Sequence, residues 1–272
     1  MTTVPKKVSE RLAASIKHFQ PILTQAKSRD VGEADTVTIV KDMLEGVFGY
    51  SKYTDVTSEH AIRGTYCDLA IKINNVLQTL IEVKAIGLTL KDSHIKQAID
   101  YAANQGVDWV ALTNGTQWQI YKVHFTKPIE HELVVDIDFC ALSTKKENDL
   151  EMLYLWCKEG WAKSVIGDYQ EQKQSLSRFY VGAAILSEPV LKSIRQELRK
   201  LSPNVKIELE QIKGVISAEV IKREILEGEK ADQARSKISR TAKKLLRAKE
   251  SKAGATCTEA TSTKDSESSE AA

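Results

Sequence analysis

The stretch from residue 53 to residue 123 constrains the fold of this chain most, because strand-like and helix-like segments follow each other there in a fixed order. Short segments rich in β-branched and aromatic residues predict strands, and one segment at residues 92–105 predicts a helix between them. The predicted strands cover residues 53–62, 66–73, 76–86, 108–113 and 118–123. Strands that enclose a helix are typical of an α/β or α+β domain with a mixed sheet. We therefore predict the α/β class, with a mixed central sheet flanked by helices.

Two helices are predicted to precede these strands. Residues 5–27 carry apolar residues at helical spacing, and this helix runs up to Pro21 or resumes after it. We expect it to pack on the sheet domain. Residues 32–48 form the second predicted helix, which ends near Gly49. Its inner apolar stripe consists of Val37, Val40, Leu44 and Val47.

The pattern changes beyond residue 140. The spacing of apolar residues over 146–227 predicts mostly helices. Residues 235–252 are strongly basic, with eight basic residues and the single acid Glu250. The last residues are mostly Ala, Ser, Thr and Glu, a composition that cannot bury apolar surface. The sequence thus predicts an N-terminal helical segment at 1–27, the sheet domain at 28–140, a helical C-terminal domain at 146–230, a basic segment at 231–252 and a disordered tail at 253–272.

Composition excludes several classes of protein. With 272 residues, of which 42% are hydrophobic, the chain can bury one sizeable core and a smaller second domain. No apolar run approaches the ~20 residues that span a bilayer, and the N-terminal stretch lacks the apolar region of a signal peptide. We therefore expect a soluble, cytoplasmic protein with reduced thiols, since its four cysteines show no CxxC spacing. Gly-rich phosphate loops are absent, so no ATP motor is expected.

Two neighbouring predicted strands carry the residues that point to chemistry. One holds Asp68 as its only acid, and the next holds Glu82 and Lys84 two positions apart. Because side chains alternate along a strand, Glu82 and Lys84 lie on one face. An acid in an otherwise apolar strand carries a high desolvation cost unless it is paired or binds a metal. Carboxylate oxygens suit Mg²⁺ or Mn²⁺, which can bridge to a phosphate and activate a water molecule.

A plainer interpretation stays open at this point. Glu82 and Lys84 are also compatible with an ordinary charge pair at a sheet edge, and Asp68 with a residue at the end of a strand. Acids and lysines are common in proteins, so the Asp-x13-Glu-x-Lys spacing alone does not decide between the two interpretations.

The motif resembles that of the PD-(D/E)xK nuclease superfamily. Within the superfamily it is similar to the nuclease domain at the N-terminus of type I restriction enzyme motor subunits and to related stand-alone restriction-like proteins. A helix with a Gln-x3-Tyr pair follows the motif in those families, and Gln97 and Tyr101 match it here. The segment 112–121 is similar to the hairpin that closes their sheet. The resemblance covers roughly residues 28–125 and departs from the family name at Cys67, which stands where that name has proline.

The resemblance implies a function as well as a fold. It implies a restriction-endonuclease-like domain at residues 28–140 that hydrolyses DNA phosphodiester bonds as an endonuclease, with Mg²⁺ or Mn²⁺ as cofactor. Asp68 and Glu82 are then metal ligands, and Lys84 assists the attacking water. The restriction or defence role, and restriction-system subunits as partners, rest on this resemblance alone.

Glu33 is the acid of the second helix that is expected to complete the metal shell. On a helical wheel it lies on the side of the inner apolar stripe, whereas Asp35 and Glu45 project elsewhere. The alternative is that Glu33 merely occupies a first turn, where acids favour the helix dipole. Gln97 and Tyr101 share a helix face. They are expected to reach DNA phosphate or to position Lys84, unless they belong to a solvated polar face.

The turn at Asn74-Asn75 decides whether Asp68 and Glu82 share a site. A strict two-residue turn followed by a regular ladder pairs Asp68 with Ile81, which sets Asp68 on the face opposite Glu82. A shared site therefore requires an odd loop or a β-bulge.

The basic segment is the second candidate for nucleic-acid contact. Lys243, Lys244 and Arg247 are expected to follow a phosphate backbone, although a solvated helix or an unstructured tail fits the same composition. A homodimer is a further possibility, since a lone centre cuts one strand per binding event. A different class of function also stays open, namely a non-catalytic nucleic-acid-binding or complex-forming module that keeps the nuclease-like fold.

Overall fold

The computed structural model of the chain describes residues 3–62 and 65–259, without the side chains of residues 59–62, 65–66 and 245–259. The chain divides into two compact units, Met1–Gln170 and Glu171–Ala272, which we call the sheet unit and the helical unit. Among the residues described, no helix is both long and apolar enough to cross a membrane. The three cysteines with described side chains, Cys67, Cys140 and Cys157, are free thiols.

The sheet unit is built on a six-stranded mixed sheet. Its strands are β1 (Val56–Ile62), β2 (Thr65–Ile73), β3 (Val76–Val83), β4 (Trp109–Thr113), β5 (Gln117–His124) and β6 (Glu130–Asp138). They lie side by side in chain order. The pair β3 and β4 is parallel, and all other neighbouring pairs are antiparallel. Helix α3 (Asp92–Gln105) connects the parallel pair, as a parallel connection requires.

Helices cover both faces of this sheet. The helices of the sheet unit besides α3 are α1 (Lys6–Ser28), α2 (Glu33–Gly46), α4 (Glu147–Tyr154) and α5 (Lys158–Trp161), with a short 3-10 helix at Phe139–Ala141. Along β4, Trp109 and Ala111 join the apolar cluster that includes α1, α2 and α4, whereas Val110 and Leu112 join the cluster of α3. This alternation gives the sheet a core on each face.

The helical unit holds the remaining elements. These are α7 (Arg178–Ile185), α8 (Glu188–Leu201), α9 (Leu209–Val215), a π-helical turn at Ile216–Val220, α10 (Arg223–Leu226) and α11 (Glu229–Glu259), and the boundary between the units falls inside α6 (Val165–Ser175). Its own small core is centred on Leu191, Ile212 and Ile216. The predicted mixed α/β sheet with flanking helices and a mostly helical C-terminal region is confirmed.

Several element boundaries differ from the prediction. Helix α1 continues through Pro21, which lies inside it. Residues 146–170 pack with the sheet unit rather than with the helical unit, because Leu150, Leu153 and Trp156 are buried in the core of the sheet. Helix α11 continues to Glu259, into the tail predicted as disordered. Residues 260–272 of that tail lie outside the described residues.

Candidate active site

The hairpin of β2 and β3 contains the irregularity that a shared site requires. Asn74 and Asn75 both have positive φ, 52° and 63°, as both central residues of a type I′ turn do. Next to the turn, Lys72 pairs with Leu77, but Ile71 pairs with Thr79. One residue of β3, Gln78, is therefore extra, and the hairpin has a two-residue turn together with a β-bulge.

The bulge brings Asp68 beside Glu82. Beyond it Leu69 pairs with Ile81, so the same register continued by one residue sets Asp68 opposite Glu82. The backbone N–H of Val83 donates to Oδ2 of Asp68 at 2.7 Å, which fixes this carboxylate at the end of β3. Glu82 is only 8% exposed. A charge that is buried to this extent needs a partner or a metal.

Lys84 is the described partner of Glu82. Its Nζ donates to Oε1 of Glu82 at 2.6 Å, and it lies 3.8 Å from Oε2 of Glu33 at the start of α2. The carboxylate of Glu33 therefore lies against the lysine, with about half of its side chain exposed. We call Asp68, Glu82, Lys84 and Glu33 the candidate site.

Burial and neighbouring charges act together on the ionisable groups of this site. Burial raises the pKa of Glu82, and the charge of Asp68 adds to this, while the hydrogen bond from Lys84 partly offsets it. Burial alone would lower the pKa of Lys84, but the hydrogen bond to Glu82 and the surrounding carboxylates outweigh it and raise that pKa. Burial and the charges of Glu82 and Asp68 also raise the pKa of Cys67 to about 12, so its thiol is neutral at physiological pH.

Two buried polar residues hold the segment that follows Lys84. Thr36 of α2 accepts the backbone N–H of Ile86 through Oγ1 at 3.1 Å. From the other side, Nδ2 of Asn114 donates to the carbonyl of Leu88 at 2.9 Å. Because Thr36 lies one turn after Glu33, the same helix positions both the acid and the end of the lysine strand. Sequence patterns gave no signal for Thr36, whereas Asn114-Gly115 is a recognisable turn dipeptide.

The described side chains contain no group of three or more His, Cys, Asp or Glu residues arranged to hold a metal ion. The structure thus brings Asp68, Glu82 and Lys84 together, but it does not gather Asp68, Glu82 and Glu33 into one shell. Lys84 bridges Glu82 and Glu33 instead. The three metal ligands stay a prediction.

The remaining predicted contacts to nucleic acid lie on two helices. On α3, Gln97 is exposed, whereas Tyr101 is buried in the core between α3 and the sheet. Of this pair, Gln97 is therefore the residue that reaches solvent, and Tyr101 belongs to the apolar cluster between α3 and the sheet. On α11, Lys243 and Lys244 are exposed, and the side chain of Arg247 lies outside the described residues.

Comparison with known proteins relates the strand-rich part of the chain to restriction enzymes. Residues 51–137 match the family model described as type I restriction enzyme R protein N terminus. This region runs from the turn before β1 nearly to the end of β6, so it contains Asp68, Glu82 and Lys84 but not Glu33. The comparisons with curated proteins and with solved structures found no match.

Proposed function

We propose that the sheet unit is a metal-dependent nuclease of the PD-(D/E)xK type, acting on DNA in a restriction-related role. The observation that carries this proposal is the bulge in β3, which sets Asp68 beside the buried Glu82 with Lys84 at 2.6 Å. A regular hairpin would have separated the two acids. The match of residues 51–137 supports the restriction-related role.

The side chains of the site suit a hard divalent cation. Mg²⁺ keeps several waters and is usually bound through only one or two carboxylates together with substrate phosphate oxygens. Asp68 and Glu82 would supply these two carboxylates, and Glu33, whose Oε2 lies 3.8 Å from Nζ of Lys84, would add a contact through water. When bound, the ion would polarise a phosphoryl oxygen and lower the pKa of a bound water.

Lys84 and the surrounding backbone do the rest of the chemistry in this proposal. The Lys84 ammonium stabilises the charge that develops on the phosphate, and it must turn from Glu82 towards the substrate to do so. Val83 N–H holds the Asp68 carboxylate in place. Thr36 and Asn114 hold the chain after Lys84, which keeps the lysine at the end of β3.

Binding of DNA is proposed to involve the exposed polar and basic side chains, namely Gln97 on α3 and Lys243 and Lys244 on α11. Lysines that neutralise phosphates contribute affinity that falls with salt. A single centre cuts one strand per binding event, so cleavage of both strands requires two protomers or two events. Assembly with other restriction-system subunits is part of the same proposal.

Cleavage of supercoiled plasmid and of single-stranded DNA tests the proposal, with Mg²⁺, Mn²⁺ or EDTA present. We expect metal-dependent cleavage by the wild type and a loss on the order of 10²–10³-fold in Lys84→Ala. Lys72→Ala is the matched control, because Lys72 lies on the neighbouring strand on the other side of the bulge. Equal activity of Lys84→Ala and the wild type would overturn the assignment of the centre.

A non-catalytic nucleic-acid-binding or complex-forming module is the second candidate function. It is favoured by the ion pairs of Lys84 with Glu82 and Glu33, and by the fact that the described side chains form no ready-made metal group. In that case the three charged residues stabilise the fold and perform no chemistry. Binding of DNA without cleavage under every metal condition would establish this function in place of the nuclease.

A further inference from the structure

The extra residue of β3 is held from outside the sheet. The indole N–H of Trp161, the last residue of α5, donates to Oε1 of Gln78 at 3.2 Å. Both side chains are half-buried. Gln78 is the residue that the bulge leaves without a cross-strand partner, so this hydrogen bond acts on the irregularity itself.

Trp161 is itself fixed by two other tryptophans. Its ring packs edge-on against Trp156 at 5.2 Å and against Trp109 at 6.1 Å between centroids. Trp109 belongs to β4, where it pairs with Thr79 and accepts the Thr79 hydroxyl through its carbonyl at 3.0 Å. Residues 78 and 79 are thus tied to one cluster, and the bulge has a defined position.

Two registers compete for this hairpin. The two-residue turn pairs Lys72 with Leu77, and a regular ladder would continue by pairing Ile71 with Gln78. It would then pair Asp68 with Ile81 and place the Asp68 side chain on the face of the sheet opposite Glu82. In that register Gln78 pairs with Ile71, and the bulge that the Trp161 hydrogen bond now holds is absent.

We propose that Trp161 is a positioning residue for the candidate site, because its hydrogen bond to Gln78 selects the bulged register that brings Asp68 and Glu82 together. This inference rests on the proposed nuclease function. Trp161 lies outside residues 51–137. The functional unit therefore extends beyond the matched region to the end of α5.

The test compares Trp161→Phe with Trp156→Phe. The first variant removes the N–H donor that reaches Gln78. The second alters a buried neighbour of the same cluster, whose indole nitrogen has no hydrogen-bond partner among the described residues. Misplacement of a reacting group by 1 Å costs about 10²-fold in rate. We therefore expect turnover to fall about tenfold or more in Trp161→Phe, with an unchanged KM for DNA. We expect a smaller fall in Trp156→Phe, which keeps an aromatic ring against Trp161 and leaves the N–H donor to Gln78 in place.

Deletion of Gln78 separates positioning from general packing. Without this residue the ladder is regular, and Ile71 still pairs with Thr79 and Leu69 with Ile81. The deletion should therefore leave the site in register and should restore turnover in the Trp161→Phe background. Equal losses in the two tryptophan variants, or a folded double variant that is not rescued, would overturn the proposal.

The register itself is a readout that does not need activity. Cross-strand nuclear Overhauser contacts report Leu69–Ile81 and Ile71–Thr79 in the bulged register, and Leu69–Leu80 and Ile71–Gln78 in the regular one. We expect the first set in the wild type and a weakened first set in Trp161→Phe. If the wild type does not cleave DNA but Trp161→Phe weakens the contacts of the bulged register, the nuclease function is refuted and the role of Trp161 stands. If those contacts are unchanged in Trp161→Phe, the role of Trp161 is refuted.

Discussion

Replacing Thr36 by valine tests how α2 supports the candidate site. Thr36 is fully buried, and its hydroxyl accepts the N–H of Ile86 while donating to the carbonyl of Gly32 at 2.8 Å. Valine keeps the shape of the side chain but leaves the buried N–H of Ile86 without its acceptor. An unsatisfied buried donor costs about 1–3 kcal/mol. For a unit of this size that corresponds to a fall in melting temperature of roughly 2–12 °C.

Thr38→Val is the matched control for this prediction. Thr38 lies on the same helix and is exposed, and its hydroxyl donates to the carbonyl of Ala34 within its own helix at 3.3 Å. We expect its unfolding free energy to change by less than about 0.5 kcal/mol. Thermal and urea unfolding measure both variants, and DNA cleavage should fall only in Thr36→Val. Equal stability of the two variants would refute the role given to the Thr36 hydroxyl.

Three further predictions concern the support of the fold and the contact with DNA. Asn114→Ala removes the amide that joins the β4–β5 turn to the loop after β3. We expect the free energy of unfolding, measured with urea, to fall by about 2–3 kcal/mol. A fall of less than about 0.5 kcal/mol would contradict this. Burial would raise the pKa of Asp55, but its hydrogen bond with Lys158 and a backbone N–H outweigh burial and lower it. The stabilisation is therefore present above the unfolded pKa of about 3.9 and is lost as pH falls through the lower folded value. Compared with the wild type, Asp55→Asn should have a lower free energy of unfolding at neutral pH and should lose less of it on acidification. Parallel pH profiles of the free energy of unfolding for the two proteins would refute this. Lys243→Gln with Lys244→Gln should reduce the slope of log affinity for DNA against log salt by about 2, and an unchanged slope would exclude these lysines from the interface.

The sequence predicted the sheet well where local pattern and tertiary contacts agree. Helix α3 has the predicted bounds, because its apolar spacing and the αL residue Gly106 at its end define it locally. Strand β6 was not predicted. It lies at the edge of the sheet, and its first residues are charged and exposed, so the alternating pattern of a strand is weak there.

The candidate site was predictable in its residues but not in its geometry. Asp68, Glu82 and Lys84 stand out because charges in apolar strands are costly, and the turn at Asn74-Asn75 indicated that a shared site needs an odd loop or a bulge. No local signal placed that bulge at Gln78, because its partner Trp161 is 83 positions away along the chain. The support from Thr36 was equally hidden, since it depends on the packing of α2 against the end of β3.

The role of Glu33 illustrates the same limit. A helical wheel placed it on the inner side of α2, and the structure does bring it to Lys84 at 3.8 Å. Whether an acid faces a metal or a lysine depends on distances of a few ångströms that no periodicity encodes. The helical wheel therefore predicted the side of α2 on which Glu33 lies, but not its contact with Lys84.

Single-turnover cleavage of DNA across a range of Mn²⁺ concentrations, with wild type and Glu82→Gln, tests the central claim most directly. Glutamine keeps the shape of Glu82 and removes the charge that pairs with Lys84 and is proposed to bind metal. The proposed nuclease predicts a cleavage rate that rises to saturation with Mn²⁺ in the wild type and is lower by at least about 10²-fold in Glu82→Gln. Cleavage that resists EDTA, or equal rates for the two proteins at every Mn²⁺ concentration, would contradict it.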